Sequence, residues 1–179
     1  MRLRKMSLVV QLALVSVVGL IGISAVNAQT PPCYTPASLQ GSYAVVATYG
    51  ANVAIALEIR HFDGDGNLTG TLTVNGPTSG SPNGARTVVT AKNSGTYIVN
   101  CDGTGTINRV LTYATGATFF QTDDFVITGA VSAGLENPLA TALTDAQRSP
   151  SDIVAGGIFV TRSYTRVPAT LTQGSVPNQ

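Results

Sequence analysis

His61 is the only histidine in the chain, so proton transfer by a neutral-pH acid or base, or activation of a serine or cysteine nucleophile, would have to run through it. It shares the strand parity of Val53, Ile55, Leu57 and Ile59, whereas Glu58 and Arg60 lie on the opposite parity, so the three cannot converge on one pocket along a regular strand. His61 therefore reads as a structural histidine at a strand end. No G-x-S-x-G elbow occurs. Asp123 and Asp124 are adjacent, and adjacent side chains diverge on a strand, so the pair reads as a turn or a solvated bulge rather than as two cooperating carboxylates.

Asp63-Gly64-Asp65-Gly66-Asn67 opens like a calcium loop, with oxygen ligands at alternate positions. The pattern then fails: Leu68 stands where a glycine is required and Val74 where a bidentate glutamate is required. The stretch reads as a hairpin turn, and neither a metal site nor a cofactor is expected. The remaining candidates are polar groups that would orient a ligand inside a barrel: Glu58 with Arg109 or Arg162. Arg162 shares parity with Ile158 and Val160, which is the case for an inward position, but the ordinary preference of arginine favours a solvated surface position. No catalytic residue is assigned.

The elements that would position these residues are strands. The chain has 179 residues, enough for one core, with 11% charged residues, no tryptophan and 19 glycines. It is poor in helix formers and rich in threonine, valine and turn residues. From Asn52 to Phe62, Val53, Ile55, Leu57 and Ile59 share one face and Asn52, Ala54, Ala56, Glu58 and Arg60 the other, the alternation of a half-buried strand. Leu68, Leu72 and Val74 alternate with threonines in the following segment, and the Asp63–Asn67 turn makes the two a hairpin. Further strands are expected at 42–48, 86–91, 96–102, 104–113, 118–121, 125–131, 139–144 and 157–166, some merging across a bulge such as Asp123-Asp124. The best place for a helix is the short segment opening at Asn137-Pro138.

Eight or nine antiparallel strands joined mostly by short turns favour a small, mostly up-and-down β-barrel with threonine-rich outer faces, the alternative being a β-sandwich. Before it, residues 1–28 read as a signal peptide: Arg2, Arg4 and Lys5 precede an apolar run, and Val26-Asn27-Ala28 offers a cleavage site. Residues 29–38 form an N-terminal segment, 39–166 the barrel domain and 167–179 a flexible tail. Removing the three leader charges leaves seven basic against nine acidic residues, a net charge of about −2, with the basic ones scattered singly; nucleic acid is excluded as a partner on that ground. No stable membrane span is expected after signal cleavage. Cys33 and Cys101 both lie in the mature part, and an exported chain meets an oxidising compartment, periplasmic or extracellular, so a disulfide closing about 68 residues is expected.

Three stretches carry a resemblance: Leu39-Gln40-Gly41-Ser42-Tyr43, Phe62-Asp63-Gly64-Asp65-Gly66-Asn67-Leu68-Thr69-Gly70-Thr71, and Gly95 to Thr106 with Tyr97, Asn100 and Cys101. Over roughly residues 39 to 165 the chain resembles a group of exported bacterial proteins of unknown function, whose barrel is similar to the allene oxide cyclase and calycin-like barrels. The resemblance implies a compact antiparallel barrel. It implies no catalytic residue, because turn glycines and asparagines make up most of the motifs.

Three functions follow as expectations. The first is a binding module for a small apolar or amphipathic molecule, which an eight-stranded barrel can enclose. The second is a secreted structural or surface-interaction protein, which an exposed apolar patch would mark. The third is an isomerase of the cyclase-like sort, which would need a buried titratable group facing the cavity. The balance leans away from an enzyme.

Overall fold

A computed structural model describes residues 33–50, 53–78, 84–132, 137–151 and 157–169. The proposed signal peptide and the end of the tail, residues 170–179, lie outside the described residues. Eight strands run in chain order: β1 (Gly41–Tyr49), β2 (Ala54–Phe62), β3 (Asn67–Pro77), β4 (Arg86–Val99), β5 (Thr104–Tyr113), β6 (Thr118–Val131), β7 (Leu139–Gln147) and β8 (Thr161–Arg166). Each pairs antiparallel with its sequence neighbours, and β1 pairs with β8 from Tyr43 opposite Arg166 to Thr48 opposite Thr161, closing an up-and-down barrel. Closure satisfies every edge, the reason a sheet of this size does not remain flat.

Two pairs of expected segments are single strands. β4 runs through Lys92-Asn93-Ser94-Gly95, and Asp102 belongs to the turn after it. β6 runs through Asp123-Asp124 without a bulge: Asp123 is buried and Asp124 exposed, so the carboxylates do diverge, but within a regular strand. The irregularity in β6 lies further on, at Ile127 to Ala130 opposite β7. Asn137-Pro138 opens no helix and leads directly into β7. A 3₁₀ turn at Pro36–Leu39, among the described residues, is not expected from the sequence.

The strongest departure concerns which face of β2 is buried. A half-buried strand ordinarily turns its apolar set to the core, yet Ala54, Ala56, Glu58, Arg60 and Phe62 point inward, and Ile55, Leu57 and Ile59 are about half exposed. Period two fixes that the faces alternate; which face is inside depends on what the other seven strands contribute. Here they contribute partners for the two charges.

Two apolar clusters line the ends of the barrel. Toward the β2–β3 and β4–β5 turns lie Tyr43, Phe62, Leu68, Tyr97, Ile107, Phe125, Leu143 and Tyr164. Phe62 is central there, edge-on to Tyr43 at 5.5 Å and to Tyr97 at 5.0 Å between ring centroids. This end is stoppered by the 3₁₀ turn, which reaches across between β4 and β7 and inserts a fully buried Leu39. The stopper is tied by Tyr97 Oη donating to Pro36 O at 3.0 Å, by Tyr34 N donating to Cys101 O at 3.1 Å, and by the Cys33–Cys101 disulfide. Toward the opposite end the inward residues are smaller: Ala47, Ala54, Ala56 and Ala91, with Tyr49, Leu72, Val74, Leu111 and Val160.

The β2–β3 turn explains its calcium-like sequence. The Asp63 carboxylate accepts from Asp65 N at 2.7 Å, Asn67 N at 2.9 Å and Asn67 Nδ2 at 2.7 Å, which is the work of a turn aspartate. Gly66 has φ 102°, the left-handed region where a side chain would be strained.

Candidate functional site

Between the two apolar clusters the barrel interior carries a belt of charge. Glu58 accepts from Arg60 through both oxygens, at 2.9 Å from Nε and 2.7 Å from Nη2, and from Asn93 Nδ2 at 2.7 Å. Arg60 Nη1 donates to Tyr164 Oη, and Tyr164 Oη donates to Asp145. Arg162 Nη1 donates to Asp145 and to Asp123 at 3.0 Å each. Arg109 Nε donates to the other oxygen of Asp123 at 2.7 Å, and Gln121 Oε1 accepts from both Arg109 and Arg162. Every strand from β4 to β8, together with β2, supplies a member.

All six charged groups are buried, and three guanidinium groups face three carboxylates, so the belt carries no formal net charge. Charges taken out of water persist only when paired and hydrogen-bonded, as these are. Burial alone would raise the Glu58 carboxyl, but Arg60, with Arg109 and Asn93, outweighs it and holds the group below its ordinary value. Asp123 is likewise depressed, burial being overcome by Arg109 and Arg162. Asp145 goes the other way: burial pushes it up against the pull of Arg162, and the neighbouring Asp123 charge adds to the push.

Glu58, Arg109 and Arg162, the three sequence candidates, are thus brought into one network, and Arg162 is buried where a solvated position is favoured by the sequence, because Asp123 and Asp145 pair with it. Arg60, Asn93, Gln121, Asp123, Asp145 and Tyr164 were missed. The signal was present in part: Asp123 stands two residues before the inward Phe125, and Asp145 two after the inward Leu143. His61 is on the outer surface, 3.4 Å from Ser42 Oγ, and takes no part.

Above the belt, at the end with the small inward residues, lies a cavity of about 420 Å³. Tyr49, Val74, Pro77, Val89, Leu111, Tyr113 and Phe119 form its walls, and Gln121 joins it to the belt. Tyr113 and Phe119 meet edge to face at 5.5 Å. Among the described residues, no group of histidine, cysteine or acidic side chains is arranged to hold a metal.

The outer wall is rich in threonine and also exposes apolar side chains, Phe120, Val88 and Ile98 among them. Val46, Ile55, Leu57 and Ile59 form an apolar patch across β1 and β2, with Val46 opposite Leu57 and Ala44 opposite Ile59. Among the described residues no helix is long and apolar enough to cross a membrane.

The geometry defines a class: a closed eight-stranded up-and-down barrel, stoppered at one end, belted by buried charge and hollow at the other. No family model, curated protein or solved structure matches the chain.

Proposed function

We propose that the mature protein is an exported barrel that holds one small apolar or amphipathic molecule in the hollow end. The cavity carries this reading. Its volume, about 420 Å³, lies in the lower part of the range of small-molecule sites, and its walls are apolar and aromatic with few polar groups, the usual make-up of such sites. Export is supported by the leader-like residues 1–28 and by a disulfide, which is retained in oxidising compartments, periplasmic or extracellular. The cyclase-like alternative is less well supported, because the charged groups of the interior bind one another instead of presenting an acid or base to the cavity.

Native mass spectrometry of the protein purified from an oxidising compartment, before and after organic extraction, tests the reading. The expected result is an extractable small molecule and a mass two hydrogens below the reduced chain. A ligand-free protein that also takes up no apolar probe would overturn it.

The patch of Val46, Ile55, Leu57 and Ile59 supports a second reading, a surface that meets another macromolecule, since contiguous exposed apolar area on a soluble protein commonly marks such contacts. Its check is concentration-dependent sedimentation of the protein and of Leu57→Thr.

A further inference from the structure

Thr87, Thr115 and Ser151 line the cavity beside three residues that offer it donors, Gln121, Tyr49 and Tyr113. Gln121 is a wall residue whose Oε1 is already engaged by two guanidinium groups, Arg109 Nη2 and Arg162 Nη2. That fixes the amide: the oxygen faces the belt, so the Nε2 donor is the half left for a ligand. Tyr49 is only 3% exposed and lines the same cavity, and its hydroxyl has no hydrogen-bond partner among the described residues. The hydroxyl of Tyr113, also in the wall, has none among them either. Burial raises both phenols above their ordinary value, so each keeps its proton at neutral pH. Each phenol therefore offers the cavity a donor that no described residue uses, and a ligand oxygen can accept from it.

The charge of the ligand follows from the belt. Glu58, Asp123 and Asp145 already pair with Arg60, Arg109 and Arg162, leaving no uncompensated cation for an anionic head. An ionised group placed there would be buried without a counter-charge. The walls set the body of the ligand: Tyr49, Tyr113, Phe119 and Pro77 present flat faces and edges suited to a planar molecule.

Resting on the reading of the cavity as a ligand site, we propose that it selects a planar, uncharged molecule bearing a carbonyl-type acceptor oxygen, gripped by Gln121 Nε2 and the Tyr49 hydroxyl.

Three probes of nearly equal shape test this on the disulfide-intact mature protein: 2-acetylnaphthalene, 2-ethylnaphthalene and 2-naphthoate, titrated by their own fluorescence. The ketone should bind about tenfold tighter than the ethyl compound, the ratio expected of one good hydrogen bond, and tighter than the carboxylate. Gln121→Glu keeps an oxygen for Arg109 and Arg162 but turns the cavity-facing donor into an acceptor, and should erase the preference for the ketone. Tyr49→Phe removes a hydroxyl that no described residue uses and should cut ketone affinity several-fold without lowering the melting temperature, which guards against misreading a folding defect. Equal binding of ketone and ethyl compound would overturn the inference while leaving the cavity a ligand site, and so would tightest binding of the carboxylate. Binding of none of the three, with nothing extracted from the purified protein, would overturn both.

Discussion

Arg60 is completely buried, and its fork is matched by Glu58 on two sides and Tyr164 on the third. Removing one member of such a pair leaves the other charge stranded in the interior, which costs about 3–5 kcal/mol. Arg60→Met is therefore expected to lower stability by about that amount, read from urea unfolding followed by circular dichroism, whereas joint replacement of Arg60 and Glu58 by apolar residues should recover much of the loss. A single substitution costing less than about 1 kcal/mol would mean that water reaches the guanidinium. At this scale the sequence was legible only in part: parity with Val160 raised an inward Arg162, but the solvation preference of arginine outweighed it, and only the pairing with Asp123 and Asp145 reverses that. It was not legible for Arg60, whose neighbours Ile59 and His61 gave no reason to turn a charge inward. Glu58 on the same strand pairs with it, but the Tyr164 hydroxyl on β8 and the Asn93 amide on β4 that complete the cluster come from distant strands, and such partnership leaves no mark in one strand's pattern.

Hairpins were the easiest elements to read, because Asp63-Gly64-Asp65-Gly66-Asn67 states its turn geometry locally. Strand continuity was harder. Gly95 looked like a break, yet it sits mid-strand because a Cβ there would lie 2.7 Å from Arg109 Cα and collide with the Asn108 carbonyl. The glycine allows β4 and β5 to approach closely beside the belt, which is a packing requirement rather than a turn signal. The stopper element was hidden for another reason: four residues, Pro36–Leu39, are too few for periodicity to register. Its anchorage depends on the disulfide, which closes a separation of 68 residues and is worth about 4 kcal/mol in the chain-entropy account. Reduction, or replacement of Cys33 and Cys101 by serine, should lower the urea midpoint accordingly. Because the stopper lies at the opposite end from the cavity, probe affinity should stay unchanged while the protein is folded.

Taken together, the buried carboxylates determine how the molecule answers to acid. Glu58 and Asp123 have folded values below their ordinary 4.5 and 3.8, so their contribution is complete above those values and is lost as pH falls through the depressed ones. Asp145 is raised, so protonating it relieves a burial cost, and its contribution has the opposite sign. Stability should accordingly hold or rise slightly from about pH 7 to 5 and fall steeply below about 4. Urea midpoints across that interval check it, and a decline already complete by about pH 5 would contradict the assignment. The closed all-β architecture was foreseen at this scale, since many short alternating segments with brief turns admit few other solutions.

Closure itself has a kinetic consequence. Seven of the eight strand pairings join neighbours in the chain, while the β1–β8 seam joins residues more than a hundred positions apart, such as Thr48 and Thr161, whose hydroxyls meet at 3.0 Å. Local hairpins can form early and independently, whereas the seam must wait for the whole ribbon to curl, since loop-closure entropy has to be met before distant contacts return anything. The bond of Arg60 on β2 to Tyr164 on β8 bridges that seam from within, and Tyr164 is held in turn to Asp145 on β7. Refolding should then show a ribbon-like stage in which the hairpins are protected from hydrogen exchange before β8 is, with the tyrosine–arginine contact acting as the clasp that ends it.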